Sequence, residues 1–478
     1  MRDRKLFVGA GIRRLRDSRA MTQADLAAQL RISTAYLSQM ETNQRPVSAS
    51  VLYGLSQLFG AEASNLMSED PDRLAADLRE ALSDPLFAHS ETSAVDIRAL
   101  ALSAPWLAHR FIELAGAFRH ALDPVEGEPG REGAKFEDKL EEIRRPVGVQ
   151  PFEVVRDFFH YNNNYIDDLD LAAERLAGEV FDQRGRENAT LEAALQARHG
   201  VRVREMPEED QRLRVFDARA KILSLAAALD PATRAFQLAY QLARLEHGAL
   251  IDARAEDPTL RTPEARTIAR TALTNYFAAA LLMPYAHFAA EARRTRHDLA
   301  RLTHLFGSSY EQVCHRLSTL QRTGAKGVPV YFVKLDRAGN IVKRHSSMRF
   351  QFARYGGACP LWNVHEAFEA PERILVQQAE MPDTTRYLCL AKAIIKPPRR
   401  HGGATQRFAI GLGCAISDAQ HFVYADEIDL RGRSGVAKIG VSCRLCARED
   451  CLQRSAPPLA RRITLSQDTR DALPYDIV

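Results

Sequence analysis

Apolar residues recur at helical spacing through the first sixty positions. Leu6, Val8, Ile12 and Leu15 stand among arginines and predict a helix over 6–18. Thr22 and Ser33 stand where N-caps belong, ahead of helices over 23–30 and 34–41. Ala27, Ile32 and Leu37 are the apolar triad that would pack those two helices together. Pro46 blocks continuation, and a fourth helix runs from Ser48 to Phe59 with Val51, Leu52, Leu55 and Leu58 inward. Helical spacing persists through about 71–122. The stretch D-P-V-E-G-E-P-G-R-E-G-A at 123–134 then reads as a linker or exposed loop.

A second, mostly helical region covers about 151–322. Within it, 187–204 reads as a helix followed by a short strand, G-V-R-V-R. From Val328 the texture changes to β-rich runs: V-P-V-Y-F-V-K-L-D, N-I-V-K-R, R-I-L-V-Q-Q-A, T-R-Y-L-C-L-A-K-A-I-I and Q-R-F-A-I-G-L-G-C-A-I. A hairpin-like turn falls at 336–340. The pattern predicts a multidomain chain with mainly α N-terminal and central regions and an α+β C-terminal domain. The expected pieces are an N-terminal helix-turn-helix bundle at 1–68, a helical connection at 69–150, a helical domain at 151–325 and a β-rich domain at 326–478.

Composition adds little to this, and charge distribution adds more. The chain has 478 residues, 46% of them hydrophobic and 26% charged, which is ordinary for soluble domains. Its formal net charge of +4 does not by itself imply nucleic acid. Residues 1–50, however, hold nine Lys/Arg against four Asp/Glu, a local footprint that suits phosphate contact. The N-terminus lacks the apolar core of a signal peptide, and the apolar run at 276–283 is too short to span a bilayer. A cytoplasmic protein without membrane contact is expected. Seven cysteines in such a chain argue against a disulfide framework.

A helix-turn-helix unit reads DNA with the N-terminal side chains of its second helix. Here those are Thr34, Ala35 and Gln39. A Gln amide can bond adenine in a bidentate manner, and a Thr or Ala methyl can touch the thymine methyl. Gln23, Tyr36, Asn43 and Arg45 are placed for phosphates and would set register more than sequence. The T-Q-x-x-L-A…S-x-x-Y-L-S-x-x-E spacing resembles the phage-repressor type of helix-turn-helix. That resemblance implies pseudo-palindromic double-stranded operator sites bound by dimers, and a homodimer or homotetramer is expected of this chain.

The segment F-Q-L-A-Y-Q-L-A-R-L-E-H at 236–247 has the frame of a zinc-peptidase helix, in which H-E-x-x-H puts two imidazoles one turn apart beside a catalytic Glu. Tyr240, Gln241 and Arg244 stand at those three positions. The segment resembles the metallopeptidase-like domain of phage-derived anti-repressors. In that family's second signature, matched by T-N-Y-F-A-A-A-L-L-M-P at 274–284, a third ligand precedes the Asn by two residues, and Leu273 occupies its place. Tyr, Arg and Leu cannot make that zinc site. What remains is a helical cavity for a small molecule or a purely structural domain.

C-R-L-C-A-R-E-D-C at 443–451 has C-x2-C-x4-C spacing, in which Cys443, Cys446 and Cys451 can reach one centre. Cys359, in G-G-A-C-P-L-W, is the expected fourth ligand. Either Zn2+ or a [4Fe–4S] cluster suits four thiolates. Arg448, Arg454, Arg461 and Arg462 would offset the negative charge. Cys389 and Cys414 sit in apolar strand patterns and Cys314 on a helix, so all three read as core residues.

This order of parts, with R-D-F-F-H-Y-N-N-N-Y-I-D-D-L-D-L at 156–171, G-G-A-C-P-L-W-N-V-H-E-A-F at 356–368 and the cysteine run extending to Pro458, resembles the short-chain fatty acyl-CoA regulators of bacteria. The resemblance covers nearly the whole chain. It implies a non-catalytic transcription factor that senses propionyl-CoA or a related acyl-CoA and controls its assimilation. It also favours the [4Fe–4S] cluster over Zn2+. An acyl-CoA needs cations for its phosphates and an apolar end pocket for its acyl group. Arg156, Tyr161, Tyr165, Lys221 and Tyr240, expected on helices, are the candidates to line one pocket. The basic loop K-P-P-R-R-H-G-G at 396–403 reads as solvated, with phosphate contact as the alternative. Two other functional readings stand beside this one: an iron–sulfur redox-sensing regulator, and a metallopeptidase acting on a repressor.

Overall fold

The computed structural model describes residues 9–59, 71–82, 93–122, 151–181, 188–350, 358–396 and 402–477, less a few scattered positions within those stretches. The chain forms two compact units, Met1–Val149 and Gln150–Val478. The linker expected at 123–134, most of the basic loop at 396–403 and Asn43 lie outside the described residues.

The first unit opens with α1 (Gly9–Ser18), α2 (Gln23–Gln29) and α3 (Thr34–Glu41). Both predicted caps are present. The Thr22 hydroxyl accepts from the Asp25 amide while the Asp25 carboxylate accepts from the Thr22 amide, and the Ser33 hydroxyl accepts from the Tyr36 amide at 3.1 Å. Ile12, Leu26, Ala27, Leu37, Met40, Val51, Leu55 and Phe59 make one small core, against which Ile32 and Leu58 pack half-buried. Ser48 caps the helical stretch that carries Val51, and Leu52 lies outside the described residues. α4 (Pro71–Leu82), α5 (Ala94–Ser103) and α6 (Pro105–Leu122) build a second core around Leu74, Leu78, Ile97 and Ala108.

The second unit begins with α7 (Pro151–Tyr161), α8 (Asp167–Phe181) and α9 (Asn188–His199). A three-stranded sheet follows: β1 (Arg202–Met206), β2 (Arg214–Asp217) and β3 (Ile222–Ala226), in the order β1-β3-β2. Of these, only β1 matches a strand expected from the sequence, G-V-R-V-R. Ile222–Ala226 is a short apolar run that carries no periodicity of its own. The turn before it has no Gly or Asn, and Lys221 takes the left-handed conformation at φ 53°. Lys221 is therefore an exposed turn residue and not the helical pocket residue expected of it.

Next come α10 (Pro231–Ala255), α11 (Pro263–Leu282), α12 (Tyr285–Arg294), α13 (Leu299–Phe306) and α14 (Tyr310–Ser318). No helix among the described residues is long and apolar enough to cross a membrane. The C-terminal part is a six-stranded sheet of β4 (Val330–Asp336), β5 (Ile341–Ser346), β6 (Leu375–Glu380), β7 (Arg386–Lys396), β8 (Gln406–Ala415) and β9 (Ala437–Lys438), with α15 (Asn363–Glu366) between β5 and β6. The order is β5-β4-β8-β7-β6-β9, antiparallel except at β6–β9. Two short paired strands, β10 (Ile463–Thr464) and β11 (Asp476–Ile477), lie near the end.

Side chains on β4 alternate as the pleat requires. Val330 and Phe332 join α12–α14 on one face, while Tyr331, Val333 and Leu335 join Trp362 and Cys359 on the other. That second face explains A-I-G-L-G-C. A Cβ at Gly411 would come within 2.7 Å of Val333 and Val364, and one at Gly413 within 2.5 Å of the Tyr331 ring. Cys314, Cys389 and Cys414 are fully buried, and burial pushes the Cys389 thiol up to about 12.

One ion network ties the second unit together. Asp170 and Arg316 are buried and meet through two bonds of 2.7 and 3.0 Å. Tyr276 donates to the same carboxylate at 2.6 Å, and Arg322 joins Asp170 and Glu174.

Candidate functional site

Three places in the fold bear on function. The first is the face of α3. Thr34, Ala35 and Gln39 are exposed, while Leu37 and Met40 on the opposite face are fully buried. The helix is held from behind by a buried ion pair. Arg16 bonds Glu41 at 2.8 and 3.3 Å, and it also donates to the Met21 carbonyl at 2.9 Å. Gln23, expected at a phosphate, donates its amide N–H to Glu41 at 2.7 Å, so its side chain serves this clamp. Arg45 is exposed, with its guanidinium 5.5 Å from the centre of the half-buried Tyr36 ring. Tyr36, on α3 itself, and Arg45, just after it, form one cationic and aromatic edge of the reading helix.

The second place is the peptidase-like helix α10. Tyr240 is half-buried, and the Arg214 guanidinium from β2 lies 3.8 Å from its ring centre. Arg214 also donates to the buried Gln241 at 3.2 Å. Arg244 is turned to Asp252 at 2.9 Å, where Arg270 also binds. Leu273 is fully buried in the core. A strand arginine thus covers two of the positions where a zinc peptidase keeps a metal ligand and its catalytic Glu. Burial lowers the Arg214 pKa, with Tyr240 opposing. Glu246 is held by Arg198 and His199 at 2.6 and 2.7 Å. His247 interrupts the helical geometry of α10 and packs its ring 4.9 Å from that of Phe277.

The remaining pocket candidates occupy separate settings. Arg156 on α7 faces Glu153 and Asp157, each at 3.5 Å. Tyr161 ends the same helix, exposed. Tyr165 is in the loop before α8, where its hydroxyl donates to Asp167 at 2.7 Å and accepts from Arg322 at 2.8 Å.

The third place is the cysteine loop. Cys359, Cys443, Cys446 and Cys451 line one small cavity together with Gly440, Lys438 and Arg454. The three cysteines singled out by spacing therefore converge with Cys359, chosen for its G-G-A-C-P-L-W setting, although it comes from 84 positions before Cys443. No three thiol, imidazole or carboxylate groups among the described residues are gathered tightly enough to grip a metal ion as they stand. The surroundings nevertheless suit thiolates. Ser455 donates to the Cys443 sulfur from its amide and its hydroxyl, at 3.4 and 3.3 Å. Burial raises the Cys359 pKa, while the amides of Gly440 and Leu361 pull it back. A Cβ at Gly440 would approach the Cys446 sulfur to 2.9 Å, so only glycine leaves that sulfur its place.

Comparison with known proteins agrees with this layout. Residues 319–475 match the family model of the short-chain fatty acyl coenzyme A regulator C-terminal region, 196–318 match the IrrE N-terminal-like domain, and 12–64 match a helix-turn-helix. The "Propionyl-CoA carboxylase regulator" of Cereibacter sphaeroides is 45% identical over 99% of both chains. The "HTH-type transcriptional regulator PrpR" of Mycobacterium tuberculosis is 39% identical over 98% of this chain and 96% of its own. A solved Mycobacterium tuberculosis transcriptional regulator superposes with a TM-score of 0.66 at 42% identity, covering 69% of this chain and all of that one. The chain belongs to the short-chain fatty acyl-CoA regulator family of helix-turn-helix transcriptional regulators.

Proposed function

We propose that this regulator senses a short-chain acyl-CoA, propionyl-CoA foremost, and controls the genes that assimilate it. The carrying observation is the exposed Thr34–Ala35–Gln39 face on α3, in a chain that follows a propionyl-CoA carboxylase regulator from end to end. The protein works in the cytoplasm as a homodimer or homotetramer on a double-stranded operator, without catalysis. Thr34, Ala35 and Gln39 read bases, while Tyr36, Asn43 and Arg45 hold the backbone. The helix start at Gln23 remains a phosphate contact through its main chain.

Acyl-CoA recognition falls to the second unit, with Arg156, Tyr161, Tyr165 and Tyr240 as its candidate contacts; Lys221, exposed in a turn, is not among them. A single methylene is worth only about 1–3 kcal/mol in an apolar pocket, so preference for propionyl over acetyl is modest. The ligand acts by binding one arrangement of the paired DNA readers more tightly than another.

Cys359, Cys443, Cys446 and Cys451 hold a [4Fe–4S] cluster, with Zn2+ as the alternative. Such a cluster supplies either a structural clasp or a one-electron redox centre. Convergence of four thiols on one cavity also supports a second reading, regulation by oxidation of that centre.

The test is an operator-binding titration with and without propionyl-CoA. A shift in apparent affinity of several-fold is expected, and superimposable curves would remove the sensing role. Gln39→Ala is expected to lose about 1–3 kcal/mol at the preferred site and to relax selectivity there. Arg45→Ala should weaken all sequences alike and reduce the salt slope by about 1.

A further inference from the structure

Beside the exposed Arg444 within the loop, four arginines surround the cysteines, and three of these either have a carboxylate close by or are exposed. Arg448 lies 3.7 Å from Glu380, Arg461 pairs with Glu449 at 3.0 Å, and Arg462 is exposed. Arg454 differs. It is 7% exposed, yet all its described hydrogen bonds run to main-chain carbonyls. One terminal nitrogen donates to Cys443 at 2.7 Å and Ala456 at 3.4 Å, and the other to Cys446 at 2.9 Å and to Arg448. Its Nε, like that of Arg448, has no partner among the described residues, but unlike Arg448 it has no carboxylate among them to pair with. Its side chain lines the cavity of the four thiols.

A buried cation answered only by dipoles is costly, and an opposite charge nearby removes most of that cost. Four thiolates around Zn2+ or a [4Fe–4S]2+ core leave a net charge of about −2. We propose that Arg454 is the charge-balancing and positioning residue of the four-thiolate site. Its fork fixes the carbonyls of Cys443 and Cys446, and so the turn that presents both sulfurs. Its cation offsets the excess negative charge of the loaded site. The same cation favours the more negative, reduced state of a cluster and raises its potential. The inference rests on the four-thiolate reading above, but not on which metal is bound.

The test compares wild type, Arg454→Lys and Arg454→Met, purified without oxygen. Iron, zinc and acid-labile sulfide are counted per chain, metal loss to a chelator is timed, and melting is followed in loaded and metal-free forms. The Lys variant should retain metal nearly as wild type does, and the Met variant should release it about 10–100-fold faster. In the metal-free form the order should reverse, with Met melting no lower than Lys, because no negative charge is then present to balance. Equal release by the two variants, or Met melting below Lys in both forms, would overturn the proposal. Zinc without sulfide in wild type would remove the iron–sulfur identity and leave the comparison of variants intact. Wild type holding neither metal would remove the four-thiolate reading, and this proposal with it.

Discussion

The peptidase-like helix and the cysteine loop each place a buried or half-buried arginine where metal chemistry is expected, with opposite meaning. On α10 the cation of Arg214 covers Tyr240 and Gln241, two of the replaced positions, and stacks on the aromatic ring. In the loop, Arg454 is backed by carbonyls alone and lies beside four thiols. The first arginine occupies the place where a peptidase would keep its metal site, and the second, on the proposal above, balances the charge of one. The lesson is that an arginine near ligand-type residues is interpreted by its own partners, not by its proximity.

The largest effect that could break this contrast is at the thiols. Cys446→Ser, with the hydroxyl a poor thiolate substitute, should empty the site and unfold the loop around it, visible as loss of bound metal and a lower melting temperature. Unchanged metal content would show the metal lies elsewhere. Next comes the seam of the second unit. Arg316→Met leaves Asp170 buried without its main partner and should cost about 3–5 kcal/mol in denaturant unfolding. A smaller effect sharpens the α10 side. Arg214→Met should cost about 1 kcal/mol and leave metal content at the thiols unchanged. Restoring Tyr240→His, Arg244→His and Leu273→Glu together should not yield a zinc site while Arg214 remains, and stoichiometric extra zinc in that protein would contradict the assignment.

A third pair of ligand-type residues completes the comparison. His315 and His345 face each other with their Nε2 atoms 3.3 Å apart. His345 Nδ1 donates to the Asn164 oxygen at 2.8 Å, since that amide's nitrogen is engaged with the Ser346 carbonyl. His345 Nε2 is therefore the acceptor and His315 the donor. Burial holds both imidazoles well below their usual range, and the Lys343 cation adds to this. The unfolded chain gains protons near pH 6.5, and the folded pair resists them. Stability should be full above that pH and fall as the pH drops through it, by at most about 1.4 kcal/mol per pH unit for each ring. Melts at pH 7.5 and 5.5 should show the loss, and His345→Gln should reduce the slope.

Local chemistry was legible in the sequence. The caps at Thr22 and Ser33, the five long strands after Val328 and the convergence of Cys359 with the C-terminal cysteines all follow from spacing and residue type. What escaped was long-range. Arg214 reaches Gln241 from 27 positions away, and Asn164 reaches His345 from 181, and no pattern marks either in advance. β2 and β3 leave no turn signal in the sequence, because a left-handed Lys221 closes their turn where the usual turn residues are absent. The setting that singles out Arg454 from three neighbouring arginines is likewise a matter of folded surroundings.

The buried carboxylate of Asp170 has a consequence for how such proteins can be recombined. It lies ahead of both matched family regions of the second unit, yet it receives bonds from Arg316, near the end of the peptidase-like region, and from Arg322, just inside the acyl-CoA regulator region. Modules that shuffle freely share few charges across their joints. Here three stretches of chain share one anion, so a chimera exchanging only one of them inherits an unanswered charge. Evolution, or a protein engineer, is expected to move residues 150–478 as a single cassette.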